Sequence, residues 1–313
     1  MEADVDARFC GSSSVHMKKQ MVVFVAITAS MIGTPQAYGW SRVGHQTVAL
    51  IAERRLSTTT LSKVHSILGP GISLADIAGC ADNIKRHPVN CAGSFQVARD
   101  PSSKRQHYIN VSVADSPNSM TIMGSCRVQG KTQACNIDQI QDGLAVLKDP
   151  AATRAQKQIA LMFIVHFVGD LHQPLHNASE VDARGRGDGG GNGAKVWFMQ
   201  SAKAKTPTNL HHVWDNVIES DAALKRMGAG TLAEELTAEI QSKDVAAWLK
   251  VSVAESALES FLIAKTLIYP AYHAPDGKRP SLDYQARMRP VAREQVAKAG
   301  VRLAAMLEEA LSP

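Results

Sequence analysis

The sequence predicts an all-α fold, and three observations carry that prediction. Apolar residues recur mostly at helical spacing, the stretches Trp248–Ile268 and Val291–Leu311 are long with Ala-rich faces and few breakers, and strand signals are confined to short pieces. Along the chain, Val43, Val48, Leu50, Ile51 and Leu56 mark the first helix, and His107–Val113 reads as a short strand. Ile137, Ile140, Leu144, Val146 and Leu147 mark another helix, and the nearly unbroken apolar run Ile159–Val168 suits a buried one. Successive glycines cannot sustain a helix, so Gly185–Gly193 is a loop, followed by a second strand signal at Lys195–Phe198. No internal repeat and no dividing linker is visible. One all-α domain over residues 40–313, with short strand or hairpin inserts, is the expectation.

Hydrophobic residues at 45% and charged residues at 20% place the 313-residue chain in the ordinary globular range, excluding disorder, collagen and a disulfide-knot miniprotein. The net charge of +5, from 34 Lys and Arg against 29 Asp and Glu, permits attraction to polyanions. It lacks the dense basic character of a nucleic-acid coat. Aromatics at 5% are too sparse for a long stacking platform.

Residues 1–39 read as an upstream extension and a secretory signal. Lys18 and Lys19 follow a better start at Met17, Met21–Ile32 is almost wholly apolar, and Ala37-x-Gly39 supplies the small residues of a cleavage site. That apolar run is too short to span a bilayer. Cutting after Gly39 leaves Trp40 as the N-terminus, places the protein outside the cell or in a periplasm, and implies no stable membrane association. Acidic and basic residues in the leader cancel, so the charge is unchanged. Cys10 leaves with it, and the four remaining cysteines, Cys80, Cys91, Cys126 and Cys135, read as disulfides. Three connectivities are possible, and the short spacings favour Cys80–Cys91 and Cys126–Cys135. A four-cysteine zinc site would want a CxxC pair, which is absent.

Ten of the eleven histidines remain after the leader, and they cluster. His166 and Asp170 lie four apart on a helix and project from one face, which suits two ligands to one metal. Pro174 ends or kinks that helix and lets His176 turn back toward the same place. His211 and Asp215 repeat the spacing. One such pair alone reads as a surface ion pair. His166, however, lies within an apolar run, where a buried imidazole and carboxylate need compensation that a divalent cation supplies. Two pairs plus His176, in a chain without the usual hydrolase triad motifs, point to a multinuclear zinc site.

At this point the chain resembles the zinc-dependent nucleases of the S1/P1 type. The motifs are Trp40-Ser-Arg-Val-Gly-His45, Cys80-Ala-Asp82, His107-Tyr-Ile-Asn110, His166-x3-Asp170-x5-His176 and His211-x3-Asp215, with Ala299–Ala304 extending the likeness toward the C-terminus. The resemblance implies the all-α fold of the phospholipase C/P1 nuclease type with three zinc ions. It assigns Asp82, His107, His166 and Asp170 to the first, and His176, His211 and Asp215 to the second. The third takes His45, the bridging Asp170 and the amino nitrogen and carbonyl oxygen of Trp40. A free α-amine with a pKa near ~8 can bind zinc, whereas a peptide nitrogen cannot. A chain that keeps residues 1–39 therefore has that ligand blocked. The implied activity is hydrolysis of single-stranded DNA and RNA to 5′-phosphorylated products, with 3′-nucleotidase activity, through a metal-activated hydroxide.

Further roles follow from the same resemblance. Tyr108, where Phe is frequent, could stack on a base, and Asn216 resembles a base-contacting position. Asn110 stands where some relatives carry Asp, and Cys80 where Trp is common. Lys104 and Arg105 offer cations for the transferring phosphate, set against a plain reading as solvated loop charges. The loop around Asp188-Gly-Gly-Gly-Asn192 is expected to position His176 or another ligand. His172 and His212 lie off the ligand spacing, His65, His87 and His273 stand alone, and Trp197 and Trp214 suit packing beneath the metal floor. Two rival readings are a zinc-dependent phospholipase C and a non-catalytic periplasmic zinc-binding protein. The five-residue step from Trp40 to His45 and an HxxxD rather than HxxxE last motif disfavour the first, and the absence of a His-rich tract disfavours the second. With no exposed heptad seam, a monomer is expected.

Overall fold

The structure, a computed structural model, describes residues 39–312 except 125, 129–130, 133–134, 200–204, 220–221 and 280. Cys10 and the signal segment Met17–Gly39, apart from Gly39 itself, lie outside the described residues. Helices start where the sequence supplies caps. Ser41 accepts from the Gly44 amide to open α1 (Arg42–Glu53), and Ser57 from Thr60 to open α2 (Thr58–Leu68). Ser73 and Asp76 form a reciprocal capping box on α3 (Leu74–Ile77). The short α4 (Cys80–Ile84) has no side-chain cap. The Cys80–Cys91 disulfide ties it to β1 (Val89–Cys91), which pairs antiparallel with β2 (Phe95–Val97).

Beyond the hairpin, a 3-10 turn over Pro101–His107 leads to β3 (Val111–Ser112) and α5 (Ser119–Gly124). The small hairpin of β4 (Arg127–Val128) and β5 (Lys131–Thr132) is closed off by the Cys126–Cys135 disulfide. Next come α6 (Asn136–Lys148) and α7 (Arg154–Leu171), the latter opened by a Thr153–Gln156 capping box. From Ala160 to Leu171 every residue of α7 except Phe163 is buried. A helix apolar on all sides belongs in the interior, and α7 packs there against α6, α1 and α13.

The chain leaves α7 through a 3-10 turn, Pro174–His176, into β6 (Ala178–Ser179), which pairs in parallel with β3. The β7 (Lys195–Met199) and β8 (Lys205–Asn209) hairpin runs into α8 (Leu210–Asp215). Then follow α9 (Ala222–Ile240), interrupted at Gly228 where φ is 72°, α10 (Val245–Leu249), α11 (Val253–Ile263), α12 (Tyr269–His273) and α13 (Leu282–Leu311). The fold is mostly helical, as the apolar periodicity predicts. No helix among the described residues is long and apolar enough to cross a membrane.

Three elements differ from the sequence expectation. Trp248–Ile268 is not one helix, because Ser252 and Glu255 form a capping box that starts a new helix inside the apolar run. Its far end widens to a π-helical turn, Ala264–Ile268, just before Pro270, which has no N–H to donate. The last helix starts upstream of Val291, at Leu282, and accommodates Pro290; its first turns are anchored by Tyr284, whose hydroxyl accepts from Trp214 Nε1 at 3.0 Å. The strand predicted over His107–Val113 shrinks to two residues, since Asp100 and Pro101 set up a 3-10 turn that runs to His107. Trp214 is buried as expected, whereas Trp197 lies on the β7–β8 hairpin with 42% of its surface exposed.

Gly300 lets α13 approach α1: a Cβ there would stand 2.5 Å from Ile51 Cγ2 and 3.0 Å from the Val48 carbonyl oxygen. Gly300→Ala is expected to cost about 1–3 kcal/mol, read as a lower urea midpoint at unchanged m-value. An unchanged midpoint would show that the contact relaxes freely.

Candidate metal centre

The last two turns of α7 carry His166 and Asp170, and their side chains meet as the i, i+4 spacing requires, with His166 Nε2 3.3 Å from Asp170 Oδ2. His107, from the 3-10 turn, brings Nδ1 to 2.9 Å from the same oxygen. Asp82 of α4 faces this pair, its Oδ1 3.7 Å from His166 Nε2 and 3.9 Å from His107 Nδ1. The other Asp170 oxygen faces His45 of α1 at 3.4 Å and His176 at 3.7 Å. His211 and Asp215 occupy one face of α8, 3.5 Å apart.

Within this cluster three donor groups each gather atoms within 4.8 Å of one another: His45 with His166 and Asp170, Asp82 with His107 and His166, and His176 with His211 and Asp215. A fourth group, Cys126, Cys135 and Asp138, is not comparable, because its sulfurs are joined in a disulfide.

Backbone carbonyls aim the imidazoles. His166 Nδ1 donates to the Ala78 carbonyl at 2.7 Å, His176 Nδ1 to the His107 carbonyl at 2.7 Å, and His211 Nδ1 to the Gly190 carbonyl at 2.6 Å. Each bond fixes the ring and, in the neutral imidazole, leaves Nε2 as the lone-pair donor. The β3–β6 pairing sets the register of two of these residues, since the amides of Ile109 and Val111 donate to the carbonyls of His176 and Asn177. The Gly-rich loop serves His211, not His176. Its hub is Asp188, which accepts from Ser179, the Glu180 amide and the Tyr269 hydroxyl, each at 3.0 Å. The loop packs so tightly that a Cβ on Gly190, at φ 68°, would lie 2.1 Å from the Leu175 carbonyl oxygen.

All eight clustered side chains are buried. Burial pushes the His107 and His211 imidazoles down, to about 4 and about 3. It also opposes a charge on His166, but the Asp170 and Asp82 carboxylates outweigh it and lift that residue to about 9. Asp170 is held well below the usual carboxylate range against its burial, chiefly by His166 and His176. Burial drives Asp215 well above that range despite a 2.6 Å hydrogen bond from Gln173. His45 Nε2, His176 Nε2, His211 Nε2 and Asp170 Oδ1 have no hydrogen-bond partner among the described residues. Aimed lone pairs of nitrogen and carboxylate oxygen, buried together, fit divalent metal ions of the zinc type.

Trp40 is fully buried, and Ser41 pins the segment, its amide donating to the Asp215 carbonyl at 2.9 Å and its hydroxyl to Glu219. The Trp40 nitrogen is an amide here, joined to Gly39. A Cβ on Gly39 would stand 1.7 Å from Asp170 Oδ1 and 2.9 Å from His45 Nε2. The backbone of residue 39 thus occupies the corner between these two donors.

Of the remaining predicted residues, Asn216 lines a pocket together with His45, Asp82 and Asp215. Tyr108 is half-buried beside His107 and is not among that pocket's lining residues. Lys104 and Arg105 are exposed on the 3-10 turn. Asn110 adopts φ 57°, a left-handed conformation that Asn tolerates. His172 is buried off the cluster, donating to the Val168 carbonyl and accepting from Arg302 Nη1 at 2.9 Å.

Two residues near the donors escaped the sequence reading. Lys85 Nζ lies 3.0 Å from Asp82 Oδ1, and its signal was the i, i+3 spacing from a proposed ligand. Gln173, which holds Asp215, is hidden in a turn and gave no pattern.

The S1/P1 nuclease family profile matches residues 40–312. Nuclease S1 of Aspergillus oryzae is 30% identical over 301 residues, covering 90% of this chain and 96% of its own. Endonuclease 2 of Arabidopsis thaliana is 28% identical, covering 91% and 96%. Nuclease P1 of Penicillium citrinum is 30% identical over 178 residues, 56% of this chain and 57% of its own.

Asp170 belongs to the donor group of His45 and His166 and its other oxygen meets His107 of the Asp82 group, whereas the group of His176, His211 and Asp215 does not include it. Asp170→Asn is therefore expected to lower the metal count at the first two while sparing the third. Elemental mass spectrometry of the purified variant measures this, and a full complement would break the bridging role.

Proposed function

The chain belongs to the S1/P1 nuclease family, and on that premise we propose that it hydrolyses single-stranded DNA and RNA to 5′-phosphorylated products and removes 3′-phosphates from nucleotides, using three zinc ions. The observation that carries this reading is the convergence of three buried donor groups on the two oxygens of Asp170 and its neighbours. Asp82, His107, His166 and Asp170 would hold one ion, and His176, His211 and Asp215 a second. His45, Asp170 and the freed amine and carbonyl of Trp40 would hold the third. Bound there, zinc supplies Lewis acidity, polarising phosphoryl oxygens and making water nucleophilic near neutral pH.

The chain's own residues do the rest. Both substrate types are cut between phosphorus and the 3′ oxygen, so one site serves both. The buried imidazoles, locked by backbone carbonyls, keep the donors from reorganising as charge develops on the phosphate. Lys85, largely buried against Asp82, would offer its ammonium to a phosphoryl oxygen gaining charge at the ions. Secretion would complete the site, because cleavage after Gly39 removes the backbone lying against Asp170 and His45 and exposes the Trp40 amine.

Purified protein is assayed on single-stranded DNA and on phosphatidylcholine, with and without a chelator. Chelator-sensitive release of 5′-nucleotides is expected, and lecithin cleavage without DNA cleavage would reverse the assignment. Lys85→Met is expected to lower kcat about a hundredfold at unchanged zinc content. A protein beginning at Trp40 should carry more zinc than one beginning at Gly39, and equal content would remove the Trp40 amine from the ligand set.

A further inference from the structure

A pocket of about 520 Å³ opens beside the cluster, a size typical of small-ligand sites. Besides His45, Asp82 and Asp215, its lining includes Arg42 and Gln46 of α1, Asn83 of α4 and Asn90 of β1. The polar residues nearest the donors are already engaged. The Asn83 amide donates to the Gly79 carbonyl, and the Asn216 amide to the His212 carbonyl. Asp76, also in the lining, accepts from the Ser73 amide and hydroxyl. Arg42, Gln46 and Asn90 differ: none has a side-chain hydrogen bond or ion pair among the described residues. They come from two separate elements and share one pocket.

Their chemistry is selective. A guanidinium fork matches phosphate oxygens, and two carboxamides present the paired donors and acceptors that read base edges. Val89 and Ala75 add apolar surface to the same lining. This combination suits a nucleotide and offers little to an acyl chain. A nucleoside 3′-phosphate ends at its phosphorus, whereas a strand continues through the 5′ oxygen into another nucleoside and a further phosphate. We propose that Arg42, Gln46 and Asn90 form a subsite for this following nucleotide, with the two amides on its base and Arg42 on its next phosphate. The subsite rests on the nuclease reading above. It gives the chain a preference for oligonucleotides over mononucleotides that the metal donors cannot supply.

The test compares a single-stranded tetranucleotide with a nucleoside 3′-phosphate as substrates for the purified, zinc-loaded protein and for Arg42→Gln and Asn90→Ala. Each variant is expected to lower the ratio of kcat/KM for the tetranucleotide to that for the mononucleotide about tenfold, through KM. Fluorescence anisotropy with the tetranucleotide and chelator-treated protein should show affinity weakened by a similar factor, since these contacts need no metal. Equal losses on both substrates, or no loss on either, would overturn the subsite. Failure of the unsubstituted protein to cut either substrate would overturn the nuclease reading and the subsite with it.

Discussion

A single carboxylate sets the terms for this molecule. Asp170 is completely buried at the end of a buried helix, where an ionised group without partners would be very costly. Its two oxygens are met by imidazoles from four places in the chain: His107 at 2.9 Å, His166 at 3.3 Å, His45 at 3.4 Å and His176 at 3.7 Å. Three of these come from outside α7, so the core cannot close around that helix without bringing them together. The dry interior and the candidate metal centre are therefore one construction. The all-round burial of α7 and the capped helices packed on it serve both.

The precision of the centre comes from backbone more than from side chains. Three imidazoles are oriented by carbonyl oxygens of Ala78, His107 and Gly190, and two of those carbonyls lie in irregular segments that would otherwise wander. Minimal devices hold them. One is a parallel pairing of two residues per strand, Val111 with Ala178 and Ser112 with Ser179. The other is a glycine loop cinched around Asp188 by Ser179 and Tyr269. Both place polar backbone where only one arrangement satisfies every group.

Much of this was legible in the sequence, and for physical reasons. His166–Asp170 and His211–Asp215 could be paired because helical geometry turns a spacing of four into a shared face. Asp82, His45 and His107 carry no such periodic signal, and only the likeness to a known ordered motif set drew them in. The helix break at Ser252 was written as a Ser-x-x-Glu cap but masked by the apolar run around it. The strand expected over His107–Val113 is shorter in the structure because alternation over a few residues cannot be told from a 3-10 turn leading into an extended segment. Gln173, the Gly190 carbonyl and the target of the Asp188 loop depend on how distant turns meet, which no local pattern encodes.

The Cys80–Cys91 bond lends this arrangement a dependence on place. Asp82 rides on a helix of five residues, too short to persist by its own hydrogen bonds and without a side-chain cap. Its first residue is bolted to the neighbouring hairpin through sulfur. One donor of the centre is thus held by a covalent bond that endures only among oxidants. In a thiol-rich compartment that bond would open, and the five-residue helix carrying Asp82 would lose its only covalent tie to the hairpin beside it.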